Sequence, residues 1–394
     1  MRLQLISGNA VRTLACSLLL VVAAAATARA DGEVILRGNY WRDTNTRVLA
    51  PEAVVRKTTP TGTTIEANYL LDAITSASAA SGVAADQAFT ELRSEAGFKL
   101  RQEIGPVSLQ GRYRYSSESD YWAHSAGGGV LFDLLQKNLS IGLNYNYTHG
   151  QAARRVNAVG YVPAGSDRST LETHYFSLSA AQVLARWALL SGGVEVRYED
   201  GFQANPYRFV VVSGSPIREV DPYTRLRVTA SATVRMTPIY KRGVVDHLTL
   251  FVGYRLHDDT WGVLAHTPEL RAHLGLGPIE LRLTGRYYTQ SAATFYRSQG
   301  GKAAYDQEVT FKDCPPPTGQ CATGDSKLSA FDSVFLDGRV VLELRTLLRG
   351  PSGLSRWLAG SAVGVSLGRY WNSGFAHLQF GDAWVGGLDL LLPL

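Results

Sequence analysis

Residues 139–147 read Leu-Ser-Ile-Gly-Leu-Asn-Tyr-Asn-Tyr, so apolar and small or polar side chains alternate along the whole stretch. A β-strand directs successive side chains to opposite faces, and this stretch therefore predicts a strand with one apolar and one polar face. In a soluble sandwich the apolar face packs in a core. In an outer-membrane barrel it contacts lipid, and the polar face lines a lumen.

The same alternation recurs along the chain and predicts about sixteen strands, an even number as bacterial barrels require. The expected range is about 14–18 strands, because residues 156–163 and 205–213 either add a hairpin or extend neighbouring strands. The predicted strands span residues 34–41, 48–57, 63–73, 89–101, 107–116, 121–132, 139–148, 173–184, 188–199, 224–236, 247–257, 264–274, 279–289, 328–346, 358–371 and 379–394.

Short turns alternate with long polar connections. The short turns are residues 59–62, 104–106, 134–138 and 275–278. The long connections are residues 74–88, 149–172, 200–223 and 290–327. A barrel whose N-terminus lies in the periplasm has short periplasmic turns and long external loops. A β-sandwich does not require this alternation of short and long connections.

The first thirty residues have the composition of a secretory signal peptide. They contain two early arginines, an apolar run at residues 14–26 and an Ala-x-Ala cleavage site that ends at Ala30. We expect residues 1–30 to be removed and residues 31–394 to form the barrel. Removing the three arginines of the signal peptide lowers the net charge from +5 to +2, which is too small to indicate nucleic-acid binding.

The polar face of the predicted strands is charged and rich in arginine. On residues 224–236, Arg225, Arg227 and Arg235 alternate with apolar side chains such as Val228. An arginine facing the bilayer centre costs about 2–4 kcal/mol, and charges at this density do not fit a soluble core. A water-filled lumen accommodates them, so we predict an all-β fold, a transmembrane antiparallel β-barrel in the bacterial outer membrane. The predicted basic lining comprises Arg93, Arg112, Arg114, Arg225, Arg227, Arg235, Arg255, Arg282, Arg286 and Arg339.

Two interpretations of this lining stay open. The basic groups attract anionic solutes or an acidic polymer into a pore. Alternatively, the charges pair across strands and only hold or plug the lumen, since mixed signs are typical of structural ladders. Trp41, Trp122, Tyr288 and Tyr370 also lie among the polar positions, either as stacking surfaces for sugars or as an interfacial girdle, which we favour.

Cys314 and Cys321 lie close together in the longest polar connection. In an exported protein such a pair predicts one local disulfide. The alternative is half of a metal site, but no histidine lies nearby in the sequence, so we predict neither a metal nor a cofactor.

The sequence contains no complete catalytic motif. His257, followed by Asp258 and Asp259, is reminiscent of an outer-membrane protease site, and His149 of a lipase site. Each would need partners at a fixed spacing, and no matching serine motif is present. The chain also has no Gly-rich phosphate loop, no H-E-x-x-H and no basic nucleic-acid motif. We therefore predict no enzyme activity, no catalytic residues and no nucleic-acid partner.

Two segments resemble a known family: residues 37–41, Arg-Gly-Asn-Tyr-Trp, and residues 68–78, Asn-Tyr-Leu-Leu-Asp-Ala-Ile-Thr-Ser-Ala-Ser. The second resembles the signature of an uncharacterised bacterial family, a domain of unknown function found in exported proteins. There a strand ends in Asp, followed by an Ile-Ser/Thr-x-Ala-Ser turn. The matching residues are Asp72, Ile74, Thr75, Ala77 and Ser78. The resemblance implies no catalytic residues. Some barrels of this kind are similar to outer-membrane partners of polysaccharide exporters, an analogy of fold alone.

Together these observations predict a channel or export pore for polar or anionic solutes or for polysaccharide. The alternative is a non-conducting structural or adhesion barrel that acts through its external loops. A minor alternative is an outer-membrane hydrolase. The expected partners are outer-membrane lipid, the barrel-assembly machinery and, for export, periplasmic export components.

Overall fold

Sixteen antiparallel strands form one closed barrel in the computed structural model. The structure describes residues 31–44, 46–76, 89–118, 120–153, 168–204, 209–212, 215–296, 309–310, 314, 320–344, 360–374 and 382–394. The predicted signal peptide, residues 1–30, lies outside this part of the chain. Among the described residues, no helix is long and apolar enough to cross a membrane.

The barrel strands are β1 (Asp31–Arg42), β2 (Thr46–Thr58), β3 (Thr63–Ser76), β4 (Phe89–Ile104), β5 (Val107–Ser117), β6 (Tyr121–Leu134), β7 (Leu139–Ala153), β8 (Arg168–Ala185), β9 (Ala188–Gly201), β12 (Thr224–Arg242), β13 (Val245–Asp259), β14 (Leu264–Leu276), β15 (Ile279–Gln290), β18 (Phe331–Glu343), β19 (Ala362–Ser373) and β20 (Ala383–Pro393). Two short pairs lie in the connections: β10 (Phe209–Val212) with β11 (Ser215–Arg218), and β16 (Val309–Thr310) with β17 (Gln320–Cys321).

Each of the sixteen predicted strands coincides with one barrel strand, so the predicted fold class is confirmed. The hairpin β10–β11 covers part of residues 205–213 and is a separate two-stranded sheet, not part of the barrel sheet, whereas residues 156–163 lie outside the described residues. The main difference is at β12, which continues six residues beyond the predicted end at Met236. Its register shifts between Met236 and Ile239, and this irregularity breaks the alternation on which the prediction relied.

The two faces of the wall differ as the alternation predicts. Large apolar side chains stay exposed on one face: Leu283 is 63% and Leu388 is 56% exposed. The opposite face carries most of the ion pairs, among them Arg37 with Glu52 at 3.1 Å across β1 and β2. The first face is therefore the outer surface, suited to lipid, and the second lines the interior.

The barrel closes where β1 pairs with β20, in a register that runs from Glu33 opposite Pro393 to Arg42 opposite Trp384. On the inner side of this seam, Arg37 Nε lies 3.7 Å from Asp389 Oδ1. Closure leaves the barrel sheet without a free edge, so each of the sixteen barrel strands has two hydrogen-bonded neighbours.

The two ends of the barrel differ in their connections. The end that holds Asp31 and Leu394, here called the terminus end, has tight turns such as those at Gly105 (φ 59°) and Gly277 (φ 63°). A positive φ at these positions favours glycine, because it has no Cβ to clash. The opposite end, here called the loop end, carries the 202–223 and 291–330 connections. The candidate functional site is therefore the charged inner face of the barrel together with the loop end.

Candidate functional site: the barrel lumen

All ten arginines of the predicted basic lining lie on the inner face. On β12, for example, Arg225 and Arg227 alternate with Leu226 and Val228, whose side chains are exposed on the outer face. Among the described residues, inward-facing side chains remain accessible to solvent: that of Arg114, for example, is 55% exposed. A barrel of sixteen strands is wide enough to leave an aqueous channel.

Six of the ten arginines lie within ion-pair distance of a carboxylate. The pairs are Arg93–Asp72 (2.6 Å), Arg114–Glu95 (3.6 Å), Arg227–Glu199 (2.8 Å), Arg282–Glu280 (2.9 Å), Arg225–Asp259 and Arg339–Asp389. These pairs join residues along and across strands, so this part of the lining has the mixed-sign arrangement of a structural ladder.

The other four arginines have no carboxylate within ion-pair distance among the described residues, although Glu269 is the register partner of Arg286. Arg112 donates a hydrogen bond to Asn146 Oδ1 at 3.3 Å, and its register partner on β4 is Lys99, a second cation. Arg255 is the register partner of Ser231 and Thr267, which carry only hydroxyl groups. Charges without a counter-charge at these positions remain available to a solute in the lumen.

The remaining two unpaired arginines face aromatic rings. Arg286 donates to the Tyr370 hydroxyl at 2.8 Å, and its guanidinium carbon lies 5.2 Å from the centre of the Phe335 ring. Arg235 lies 6.0 Å from the centre of the Phe251 ring. Cation–π contact holds a guanidinium in place without neutralising it, so both residues keep a positive charge on the inner wall.

Small side chains line the inner wall between these charged regions. A recess of about 340 Å³ on β8, β9 and β12 is lined mainly by small and hydroxyl side chains and by one carboxylate, Glu195; the small residues include Ser177, Ser179, Ser191, Gly193, Ser231 and Thr233. A second recess, of about 410 Å³, lies towards the terminus end and includes Arg235, His247 and His273. The lumen therefore has a smooth hydroxyl-lined sector beside basic patches.

A buried ion-pair network anchors the loop end. The Asp259 carboxylate accepts from Arg225 Nε at 2.9 Å and from the backbone N–H groups of Trp261 and Val263 at 2.9 and 3.0 Å. The Arg225 guanidinium carbon lies 4.0 Å from the centre of the Trp261 ring, and the indole N–H donates to the Thr224 carbonyl at 3.0 Å. These contacts hold the 260–263 turn against the inner wall.

Described residues of the 291–330 connection pack on this turn. The Trp261 and Phe295 rings meet edge to face with their centres 5.0 Å apart, and Leu328 and the cysteines are buried in the same cluster. Cys314 and Cys321 form the disulfide, with Cα atoms 5.7 Å apart. Val220 pairs through its backbone with Ala322, so the 202–223 connection joins the same assembly. The described residues of the long connection thus pack against the 260–263 turn at the loop end.

One loop-end carboxyl has a perturbed pKa. Burial raises the pKa of Glu118, which follows β5, and the nearby charge of Arg93 opposes this rise. The carboxylates of Asp120, Glu91 and Asp72 raise it further. This acidic group lies beside a basic one, which adds to the mixed-sign character of the loop end.

The aromatic residues among the polar positions separate into two groups. By register Trp41, Tyr288 and Tyr370 lie on the inner face. Trp122 lies on the outer face, where it contacts the ring of His149. The girdle interpretation therefore suits Trp122, while Tyr370 belongs to the Arg286 cluster. Sequence reasoning missed Phe335, because an inward phenylalanine does not follow the apolar-outward pattern of β18.

The two histidines considered for hydrolysis lie on opposite faces of the wall. His149 faces outward, 3.7 Å from Glu172. His257 faces inward, with Nδ1 2.9 Å from Thr229 Oγ1 and Nε2 3.6 Å from Asp259. The Asp259 carboxylate is already engaged by Arg225 and the turn. Within the described ranges, no group of three or more His, Cys, Asp or Glu side chains is arranged to hold a metal ion.

Solved structures with similar folds are barrels of low sequence identity. CdiB from Acinetobacter baumannii has a TM-score of 0.50 at 9% identity, over 93% of this chain and 61% of that one. A bacterial polysaccharide outer membrane secretin has a TM-score of 0.49 at 9% identity, over 93% and 99% of the two chains. The outer membrane protein OprD from Pseudomonas aeruginosa has a TM-score of 0.45 at 9% identity, over 93% and 94%. Such identities show the fold alone.

Sequence comparison identifies a family without an assigned activity. No curated protein matches the sequence. The profile described as "Protein of unknown function (DUF3570)" matches residues 85–346, which is well over half of the chain. The segment at residues 68–78 lies outside these matched residues, so the match does not test it. The predicted resemblance to an uncharacterised family is confirmed: the chain belongs to the DUF3570 family.

Proposed function

We propose that this protein is an outer-membrane channel that prefers anionic solutes. The observation that carries the proposal is the set of four inward-facing arginines without a carboxylate partner among the described residues: Arg112, Arg235, Arg255 and Arg286. In a water-filled channel whose wall has a low dielectric constant, unpaired positive charge on the wall raises the local concentration of anions. The paired arginines shape the wall but contribute little to this preference.

The cargo class follows from the wall chemistry. Guanidinium groups bind carboxylates and phosphates, and the recess on β8, β9 and β12 offers hydroxyl groups beside them, together with one carboxylate, Glu195. Small anions and extended acidic polysaccharide both fit this combination. Transport of the polymer would add periplasmic export components as partners. We propose no catalytic activity.

Planar-bilayer recordings across a KCl gradient test the proposal. Wild-type protein is expected to give conductance steps, with a reversal potential shifted towards the equilibrium potential of chloride. Replacing the four unpaired arginines together by Gln is expected to move the reversal potential towards zero or towards the equilibrium potential of potassium. The matched control replaces the same four by Lys, which keeps the charge and should keep the anion preference. Cation preference in the wild type, or equal selectivity of the Gln and wild-type proteins, would contradict the proposal.

The second candidate is a non-conducting barrel that acts through its loops. The buried cluster of Trp261, Phe295, Leu328 and the disulfide at the loop end favours it, because a tightly packed mouth restricts passage. Absence of conductance steps in the wild type and in a variant lacking residues 297–313 would establish this candidate and exclude the channel.

A further inference from the structure

A row of three arginines and one tryptophan crosses four neighbouring strands on the outer surface. Arg369 on β19 lies opposite Trp384 on β20, Trp384 lies opposite Arg42 on β1, and Arg42 lies opposite Arg47 on β2. All four side chains share the outward parity, since Arg37 and Glu52, each five residues from a member of the row, form an inner-face ion pair. We call these four residues the outer basic row.

The outer basic row lies at the loop-end rim of the apolar outer surface. β1 ends at Arg42 and β2 begins at Thr46, so the row is close to the strand ends. Two residues further into the wall, the outward positions are occupied by exposed Leu367 and Leu49. Tryptophan is typical of the boundary between lipid chains and headgroups, and Trp384 is 45% exposed there.

The three arginines of the row differ in their ion pairing. Arg369 pairs with Asp382 at 2.7 Å, and its guanidinium carbon lies 5.0 Å from the centre of the Trp384 ring. Arg42 and Arg47 are both exposed, and among the described residues no carboxylate lies within ion-pair distance of either. Like charges directly opposite each other on neighbouring strands repel. Such a pair is stable when an anion lies between the two side chains.

We infer that the outer basic row binds the phosphate group of a membrane lipid in the leaflet at the loop end. Arg42 and Arg47 are directly opposite, with Cα atoms about 5 Å apart in antiparallel geometry, so both guanidinium forks reach one phosphate. Trp384 packs beside the headgroup, and Leu367 and Leu49 contact the acyl chains. This assignment needs membrane insertion but no conductance, so it stands or falls separately from the channel.

Native mass spectrometry of the full-length protein in detergent tests the assignment. The probes are diphosphoryl lipid A, a neutral glycolipid with matching acyl chains, and inorganic phosphate alone. Wild-type protein is expected to retain the phosphorylated lipid with at least tenfold higher affinity than the neutral one. Inorganic phosphate is expected to bind too weakly to be retained, because it lacks the chains that contact the leucines.

Variants distinguish this site from general lipid adhesion. The double variant Arg42→Gln/Arg47→Gln is expected to lose at least tenfold in affinity for lipid A. Arg242→Gln, an exposed arginine at the terminus end, serves as the matched control and should bind as the wild type does. Equal retention of phosphorylated and neutral lipid by the wild type, which requires no variant to fold, would overturn the assignment. So would unchanged binding by a folded double variant, or retention of inorganic phosphate alone.

Discussion

Replacing Asp259 by Ala is expected to destabilise the loop end strongly. The Asp259 side chain is fully buried and its partner Arg225 is only 9% exposed. The variant leaves this guanidinium without its carboxylate and removes the acceptor for the backbone N–H groups of Trp261 and Val263. Removing one partner of a buried ion pair costs about 3–5 kcal/mol, and each unsatisfied N–H adds roughly 1–3 kcal/mol unless water replaces the acceptor.

We therefore expect Asp259→Ala to lower the free energy of unfolding by about 3–5 kcal/mol, with lumen water satisfying most of the freed N–H groups. The assay is urea unfolding of the barrel in lipid vesicles, followed by tryptophan fluorescence. Because the 260–263 turn also supports the packed cluster around Phe295, single-channel conductance of the same variant should rise.

Two further variants isolate the cause. Asp258→Ala changes the same residue type one position earlier, on the exposed outer face, and should shift stability by no more than about 0.5 kcal/mol. Asp259→Asn keeps an oxygen for the turn N–H groups but removes the charge, so its loss should be intermediate. If the free energy of unfolding of Asp259→Ala lies within about 0.5 kcal/mol of the wild-type value, the network does not anchor the loop end.

Three other predictions follow from the loop end and the outer wall. Loss of the disulfide in Cys314→Ser should increase the rate of protease cleavage within residues 291–330 by roughly tenfold or more. Wild-type protein whose disulfide has been chemically reduced should show the same increase. Burial raises the pKa of Glu118, so the folded state binds its proton more tightly and stability is lost as pH rises from the unfolded pKa through the folded one. Glu118→Gln should therefore raise the thermal midpoint more at pH 8 than at pH 4, and an equal shift at both values would contradict this. Leu283→Arg should lower stability in membranes by about 2–4 kcal/mol, whereas Thr284→Arg, facing the lumen, should change it by less than about 1 kcal/mol.

The strand pattern was predictable because side-chain alternation is a local property. Each predicted strand has its counterpart in the barrel, and the inner position of Arg225 and Arg227 follows from the exposed Leu226 between them. The end of β12 was not predictable, since a register shift after Met236 interrupts the alternation while the strand continues.

The pairing of the lumen charges was only partly predictable. Sequence shows that Arg282 and Glu280 share a face two residues apart, and the structure joins them at 2.9 Å. It does not show that Arg339 on β18 meets Asp389 across β19, or that Arg112 donates a hydrogen bond to Asn146. Those contacts depend on register and on side-chain direction, which act between strands far apart in the chain.

The sequence by itself therefore determined the all-β class, the sixteen strands and which residues share a face, because apolar and polar side chains alternate along each strand with a period of two residues. Only the tertiary structure decided which arginines are neutralised, how the 291–330 connection packs on Trp261, and that Arg42 and Arg47 lie opposite each other on the outer surface. These features arise from closure of the sheet and from long-range packing, where residues distant in sequence meet and their charges either cancel or remain available to a ligand.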